Sequence, residues 1–298
     1  MIAVGGSTGY IGGLLCRRLR EDGHDVRALA RDPDRAADLK AAGCEVRRAD
    51  VLEPETLGPA LEGVEVAYYL VHSMGRGSDG DFAERDHRAA RNFAAAAAGA
   101  GVRRIVYLGG LGEGSRHLDS RHATAEALGE GEVPLAYFRA AAVIGAGSES
   151  FRTVYYLVRR LPAMVTPRWV STRTQPIAVA DAVAYLAAAA DLDLPADREI
   201  QIGGPDITTY GEMIDELARV LGRRPPLRIT VPLLTPSLSS LWIGLVTPVD
   251  AGVARPLIEG LAVETVVDDP SGMEAIADIV ATPLPEALRR AVADAGAL

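Results

Sequence analysis

The feature that most constrains the fold is a glycine-rich turn at the start of the chain. A short apolar segment of strand type, residues 2–4, leads into it, and a helix-type segment follows from residue 13. Gly6, Gly9 and Gly12 are spaced three residues apart. This layout predicts a tight turn at the tip of a first strand, with N–H groups at the helix start facing outward, where a pyrophosphate can accept their hydrogen bonds. The position between a strand and a helix makes the glycine signal strong. The predicted contacts are Gly6, Ser7, Thr8, Gly9, Tyr10, Ile11 and Gly12.

The first half of the chain alternates between short strand-type and longer helix-type segments. The predicted strands span residues 2–4, 26–30, 45–48, 66–71, 104–108 and 135–139. The predicted helices span residues 13–22, 33–42, 54–62, 81–100 and 120–130. Such alternation predicts right-handed βαβ units and a doubly wound parallel sheet, which is an α/β Rossmann fold.

The pattern is looser after residue 139. It predicts a loop over 145–151, helices over 151–161, 181–190 and 209–221, and strands over 176–180 and 199–202. Thr208 or Thr209 is the predicted N-cap of the last helix, and Gly222 is its predicted end. We therefore expect a dinucleotide-binding core formed by 1–147 with 174–206. A small, mostly helical C-terminal substrate lobe would be formed by 148–173 with 207–298.

Composition excludes some classes of function. The chain has 298 residues, of which 48% are hydrophobic, so it can bury a sizeable core. Its net charge of −9 makes it a poor candidate for binding nucleic acid. Cys16 and Cys44 lack metal-ligand spacing, so no metal site is predicted and a reducing cytoplasm is the default location. No charged segment precedes the first strand, so a signal peptide is not expected. The expected partner is a small molecule, and the oligomeric state is left open.

The most apolar part of the tail is the segment 233–249, which includes Trp242. It is shorter than the ~20 residues that a membrane-spanning helix needs. The favoured interpretation is a buried helix or a pocket wall. Contact with a membrane surface is the alternative.

Residues after the second predicted strand bear on which dinucleotide binds, because this tip faces the adenosine ribose in a Rossmann fold. Arg31 lies at the tip, and Arg35 follows one helical turn later. An arginine can pair with a 2′-phosphate, whereas an acidic residue would accept bonds from a free 2′-hydroxyl. The sequence thus favours NADP(H) over NAD(H). In the alternative, Arg31 is solvated and Asp32 reaches the ribose.

Further cofactor contacts are expected at the ends of other strands, because the carboxyl ends of the strands form the ligand crevice. Asp50 and Val51 follow the third strand, where Asp50 either bonds the adenine or caps the helix near Pro54. His72 has three interpretations: a core residue, a loop contact or a proton donor. The remaining predicted cofactor contacts are Val71, His72, Ser73 and Gly109.

Together these segments resemble the short-chain dehydrogenase/reductase superfamily, specifically its divergent NmrA-like branch. The matching segments are residues 5–12, 26–31, 49–51, 100–107, 176–181, 202–205 and 209–213. The likeness runs from residue 2 to about residue 225. It implies an extended Rossmann core with a small C-terminal lobe over the nicotinamide. It also implies a catalytic serine and a Tyr-x-x-x-Lys pair, in which the lysine lowers the tyrosine's pKa.

The chain departs from that catalytic pattern at each position. Gly109-Gly110 stands where the serine is expected, His117 stands for the tyrosine, and Arg121 stands for the lysine. The single lysine of the chain, Lys40, follows the second strand and cannot substitute.

These replacements still allow hydride-transfer chemistry. An ordinary histidine has a pKa near ~6.5, so His117 can transfer a proton at neutral pH. Arg121 or Ser120 can then polarise a carbonyl group. His72 is a rival for the catalytic role. The predicted substrate contacts are Met74, Tyr155, Tyr156, Arg139 and Trp242. Arg139 either binds an anionic substrate group or braces the loop at Gly145.

Three functions follow from this sequence. The first is an NADPH-dependent reductase of a small, fairly apolar carbonyl or enone compound. The second is a cofactor-binding sensor or regulator without chemistry, which the missing serine, tyrosine and lysine favour. The third is a non-redox isomerase, dehydratase or cyclase on the same scaffold.

Overall fold

A parallel sheet of seven strands forms the centre of the fold in the computed structural model, which describes residues 1–72, 82–192, 197–230, 261–276 and 279–296. The strands of the described residues are β1 Ile2–Gly5, β2 Val26–Ala30, β3 Glu45–Arg48, β4 Val66–Tyr69, β5 Arg104–Gly110, β6 Leu135–Ala140, β7 Val143–Ile144, β8 Ala163–Thr166, β9 Arg173–Thr174, β10 Ile177–Ala178, β11 Arg198–Ile202, β12 Thr208–Thr209 and β13 Leu227–Thr230. The central sheet has the order β11-β6-β5-β4-β1-β2-β3, and all its neighbours are parallel. The predicted doubly wound Rossmann fold is confirmed.

Helices cover both faces of this sheet, and others lie in the C-terminal part. The helices of the described residues are α1 Tyr10–Glu21, α2 Ala37–Ala41, α3 Leu57–Leu61, α4 Phe82–Gly99, α5 Arg116–Gly129, α6 Glu149–Arg160, α7 Val179–Ala188, α8 Tyr210–Val220, α9 Ser271–Glu274 and α10 Leu284–Gly296. Short 3₁₀ turns, Pro33–Ala36 and Pro54–Thr56, precede α2 and α3. The sequence predicted each of these turn-and-helix pairs as one continuous helix.

Two buried apolar clusters lie on opposite faces of the sheet. One contains Leu19 of α1 and Leu186 of α7. The other contains Phe93 of α4 and Leu128 of α5. This two-sided burial is the physical basis of a parallel sheet whose strands are apolar on both faces.

A third apolar cluster forms in the C-terminal part, drawing mainly on α6, α8 and α10. Most of its residues come from the ranges predicted for the substrate lobe, although Ile144 and Ala178 come from the predicted core. Division into two domains stays a prediction. The small two-stranded sheets β10-β7, β12-β9 and β13-β8 accompany this cluster. Apart from β10, which lies within the predicted strand 176–180, the sequence did not predict these strands.

Several element boundaries differ from prediction. Helix α1 begins at Tyr10 because Gly9 is its N-cap, and α5 begins at Arg116 because the Ser115 hydroxyl accepts a hydrogen bond from the Leu118 amide. The prediction of a loop over 145–151 is wrong at its end, since α6 begins at Glu149. Thr209 caps α8 as predicted, in a capping box with Glu212.

Within the described residues, no helix has the length and apolar character needed to cross a membrane. The segment 233–249, including Trp242, lies outside the described residues. Cys16 and Cys44 are both buried free thiols. Across the ranges that the structure describes, no group of three or more His, Cys, Asp or Glu side chains is placed to hold a metal ion.

Candidate active site

The glycine turn at the tip of β1 has no room for a side chain at Gly6 or Gly12. Gly6 adopts a φ of +80°, and a Cβ there would collide with the carbonyl oxygen of Leu70. A Cβ on Gly12 would collide with the carbonyl oxygen of Gly6. At these two positions the turn therefore brings its backbone to the edge of the sheet, as a pyrophosphate cradle requires.

The start of α1 is open to an external acceptor. Its N-cap, Gly9, provides no side-chain hydrogen bond. The first N–H groups of a helix lack intrahelical partners, so they suit an anion. The Ser7 hydroxyl is buried and donates to the Leu29 carbonyl at 2.8 Å, which ties the turn to β2. Tyr10 packs its ring against the turn at Gly147, and burial raises the pKa of its hydroxyl. Ser7 and Tyr10 are both predicted pyrophosphate contacts, and their side chains are used in contacts within the protein.

At the tip of β2, the two candidate ribose contacts differ in availability. The Asp32 carboxylate accepts a hydrogen bond from the Asp34 amide at 3.2 Å and so caps the following 3₁₀ turn. Arg31 is exposed, and the structure gives it no hydrogen bond or ion pair with another described residue. The arginine is thus the side chain that is available to a ligand.

Asp50 lies after β3, as predicted. Its Oδ1 accepts a hydrogen bond from the Leu52 amide at 2.9 Å. The N-cap of the turn at Pro54 is Glu53, so the alternative interpretation of Asp50 as that cap is wrong. The neighbouring Val51 carbonyl accepts a hydrogen bond from the Asn92 side chain at 2.9 Å, which fixes the β3 loop against α4.

A narrow crevice lies beyond the carboxyl ends of β4 and β5. It brings together five predicted site residues, and it lies beside the glycine turn because the β4 end contacts Gly6 through Leu70. Its lining residues are Val71, His72, Asp86, Tyr107, His117, Ser120, Arg121 and Thr124. Ser73 and Met74 lie outside the described residues.

His117 is half-buried in this crevice, on the first turn of α5. Burial lowers the pKa of its imidazole to about 3, and the positive charges of Arg121 and His72 act in the same direction. The ring is therefore neutral at pH 7. The sequence predicted an ordinary histidine that is partly protonated near neutrality, and the structure replaces it with a neutral hydrogen-bonding group.

Arg121 lies one helical turn after His117, on the same face of α5. Its Nη1 donates to the Leu108 carbonyl at 3.1 Å. It also hydrogen-bonds the Tyr107 hydroxyl, as does Thr124, although burial still raises the pKa of Tyr107. The guanidinium is anchored at the end of β5, where a positive charge can face a bound substrate. Ser120 is buried beside it.

A buried polar network lies behind the crevice. The Tyr137 hydroxyl is 3.0 Å from His122 Nδ1, and His122 Nε2 is 3.0 Å from the Gly112 carbonyl oxygen. Arg139 donates to the carbonyls of Gly110 and Gly112 and, at 2.7 Å, to Glu199. The prediction that Arg139 braces the loop at Gly145 is wrong, because the turn it braces is 110–112, directly after β5.

Tyr155 and Tyr156 lie on α6, as predicted. Tyr155 is buried, stacks on Phe151 and accepts a hydrogen bond from Arg159. Tyr156 is half-buried and meets Tyr155 edge to face. Tyr155 thus serves packing, and a substrate contact by either tyrosine stays a prediction.

Sequence reasoning missed three residues of the crevice: Asp86, Tyr107 and Thr124. Tyr107 and Thr124 have the ordinary spacing of core residues, so nothing in the pattern marks them. Asp86 is a buried carboxylate in a charged helical stretch. The only available signal was that its face of α4 must pack against the sheet.

Similarity to known proteins agrees with this geometry. Residues 6–148 match the NAD(P)H-binding family. NAD(P)H azoreductase of Xenophilus azovorans is 40% identical over 70 residues, which are 24% of this chain and 24% of that protein's length. Residues 6–148 thus match the NAD(P)H-binding family, which agrees with the predicted resemblance to the NmrA-like branch of the short-chain dehydrogenases/reductases. Ceramide reductase of Caulobacter vibrioides is 28% identical over 264 residues, or 86% of this chain and 82% of the relative.

Solved structures share the fold of this chain. Triphenylmethane reductase from Citrobacter sp. aligns with a TM-score of 0.78 at 21% identity, covering 98% of this chain and 99% of that one. The same reductase complexed with NADP(H) aligns with a TM-score of 0.76 at 22% identity, covering 97% and 99%.

Proposed function

We propose that this protein is an NADPH-dependent reductase of a small, fairly apolar carbonyl or enone compound. The observation that carries the proposal is the junction at Leu70. The backbone there contacts the glycine turn, and the next two residues line the crevice that holds His117 and Arg121. A dinucleotide gripped at the turn would extend along the β4 end toward these two side chains.

Preference for NADPH rests on the tip of β2. Arg31 is exposed there, whereas the Asp32 carboxylate is used as a cap. A guanidinium can bind a 2′-phosphate through paired hydrogen bonds. The NADP(H) complex of triphenylmethane reductase supports the same choice.

The chemistry assigned to the crevice needs two polar groups near the carbonyl oxygen. When bound, the reduced nicotinamide supplies a hydride. Neutral His117 donates an N–H hydrogen bond to that oxygen, and the fixed charge of Arg121 stabilises the negative charge that develops there. Because His117 has little tendency to be protonated at pH 7, we assign the final proton to solvent and not to an imidazolium. His72 and Ser120 lie beside this pair.

This arrangement would replace the serine, tyrosine and lysine of the wider superfamily. Gly109 has no hydroxyl, and Lys40 lies on α2, far along the chain from the crevice-lining helix α5. An activating lysine is unnecessary for a neutral hydrogen-bond donor, since no tyrosinate has to form. Two buried free thiols suit a reducing compartment, and we propose a cytoplasmic location.

The test mixes the protein with NADPH and an enone, an azo dye or a triphenylmethane dye, and follows the loss of the reduced coenzyme together with product. The two dyes are chosen because an azoreductase and a triphenylmethane reductase are among the proteins that resemble this chain. Loss of NADPH matched by reduced product supports the proposal. Product formed without net loss of NADPH would indicate an isomerase, dehydratase or cyclase instead.

A cofactor-binding regulator is the second candidate. The low pKa of His117 favours it, because His117 then cannot act as an acid near neutrality. Tight NADPH binding without turnover of any acceptor is the result that selects it over the reductase.

A further inference from the structure

One face of the small β8-β13 sheet exposes apolar side chains to solvent. The strands are parallel, with Ala163 beside Leu227 and Val165 beside Ile229. Paired residues of neighbouring strands point to the same side of a sheet. Val165 is 44% exposed, Leu227 66% and Ile229 57%. We call Ala163, Val165, Leu227 and Ile229 the β8-β13 face.

The opposite face of the same sheet is packed and therefore fixes its orientation. Met164 is buried in the third apolar cluster. Arg228 donates to the Gly211 carbonyl at 2.7 Å and forms a two-pronged ion pair with Asp215 on α8. A one-residue slip would expose Met164 and break this pair, so the outward position of Leu227 and Ile229 is specified by the fold.

Paired arginines precede both strands. Arg159-Arg160 leads into β8 and Arg223-Arg224 leads into β13, and all four are exposed. Ala163 aligns with Leu227. The first arginine of each pair lies four residues before its aligned residue, and the second lies three residues before it. Parallel strands enter from the same end, so both arginine pairs precede the same end of the β8-β13 face. Arg159 and Arg160 form the end of α6, where they lie over the rings of Tyr155 and Tyr156. This set of four arginines is unusual in a chain whose net charge is −9.

We propose that the β8-β13 face docks on the surface of an anionic lipid bilayer. Apolar side chains flanked by basic ones match the two layers of such a surface, the acyl boundary and the negative headgroups. The contact is peripheral and requires no membrane-spanning segment. It is independent of the proposed reductase activity.

The experiment is co-sedimentation of the full chain with vesicles of phosphatidylcholine alone or mixed with phosphatidylglycerol. The wild type should pellet with the mixed vesicles, and added salt should weaken the binding. One variant combines Leu227→Glu with Ile229→Glu, and a second combines Arg223→Glu with Arg224→Glu. Each should lower the bound fraction roughly tenfold or more. Val280→Glu is the matched control, since Val280 is a 91% exposed apolar residue outside this face.

The thermal midpoint of every variant shows whether it has folded, and the arginine variant keeps the test valid if the apolar one does not fold. Three results would overturn the proposal. The first is that the wild type binds neither vesicle. The second is that both variants bind as much as the wild type does, and the third is that Val280→Glu loses as much binding as those variants. A dimer that Leu227→Glu with Ile229→Glu dissociates, without vesicle binding by the wild type, would assign the face to a second copy of the chain instead.

Discussion

The ring of Tyr137 fills the space that a side chain at Gly109 would need. A Cβ placed on Gly109 would lie 2.7 Å from Cε2 of that ring and 2.8 Å from its hydroxyl oxygen. Tyr137 in turn stacks on Tyr107 and is bonded to His122. The absence of a serine at this position is thus tied to how the strand behind it is packed.

Gly109→Ala should therefore destabilise the protein. Overpacking a filled site costs about 1–3 kcal/mol of unfolding free energy. Gly99→Ala is the control, because nothing lies within 4 Å of a Cβ there. Thermal or urea unfolding measures both, and the cost at Gly109 should shrink in a Tyr137→Leu background. An unchanged cost in that background would contradict the account of the clash.

Arg31→Ala should weaken NADPH binding about tenfold, since a charge-assisted pair with the 2′-phosphate is lost, and should leave NADH binding nearly unchanged. Calorimetric titration with each coenzyme measures the two dissociation constants. Arg91→Ala, which removes the same charge from an exposed site on α4, should change neither. Equal weakening of both coenzymes by Arg31→Ala would remove the argument for NADPH preference.

His117→Ala should lower kcat roughly 10²–10³-fold, the effect of losing one hydrogen-bond donor to a developing oxyanion. The dissociation constant for NADPH should stay unchanged, and His24→Ala should behave as the wild type. Because the pKa of His117 is about 3, its ionisation should produce no inflection in the wild-type kcat/KM profile between pH 5 and 8. An inflection near pH 6.5 that disappears in the variant would restore the imidazolium as the acid.

The pH dependence of stability tests the same histidine without a substrate. The folded pKa of about 3 lies below the ordinary value of 6.5, so the unfolded chain takes up a proton that the folded chain refuses. This contribution to stability is complete above about pH 6.5 and is lost as the pH falls toward 3. His117→Asn should therefore lose less stability than the wild type between pH 7 and pH 4, measured by urea unfolding. Parallel curves would show that the ring is not protected from protonation.

Arg139→Lys should destabilise the turn after β5 by about 2 kcal/mol, because buried carbonyl acceptors lose charged partners. Its bonds to Gly110, Gly112 and Glu199 assign it to the fold. Urea unfolding measures the loss, and steady-state kinetics measure KM. A raised KM with unchanged stability would instead support binding of an anionic substrate group.

Local sequence predicted the dinucleotide half of the protein well. The predicted strands 26–30 and 45–48 match β2 and β3 residue for residue, because apolar segments bounded by turns leave few alternatives. The starts of α1 and α5 were displaced by three and four residues, since the capping role of Gly9 and Ser115 is visible only in three dimensions. The pairing of His117 with Arg121 in one site was implied by the family resemblance, whereas the predicted helix 120–130 did not include His117.

What the sequence did not predict depends on contacts between distant segments. The low pKa of His117 comes from burial and from Arg121 and His72, and His72 lies 45 positions away along the chain. The pairing of β8 with β13 joins segments 64 positions apart, and two short, mixed strands carry no strong period. Asp86 enters the crevice only because α4 packs against the sheet.

The most direct test of the central claim is a calorimetric titration of the folded wild type with NADPH, NADP⁺, NADH and NAD⁺ in turn. The account predicts one saturable site per chain, with NADPH and NADP⁺ bound more tightly than their counterparts. No heat from any of the four coenzymes at millimolar concentration would contradict it, because the backbone turn at Gly6, Gly9 and Gly12 would then have no pyrophosphate to hold.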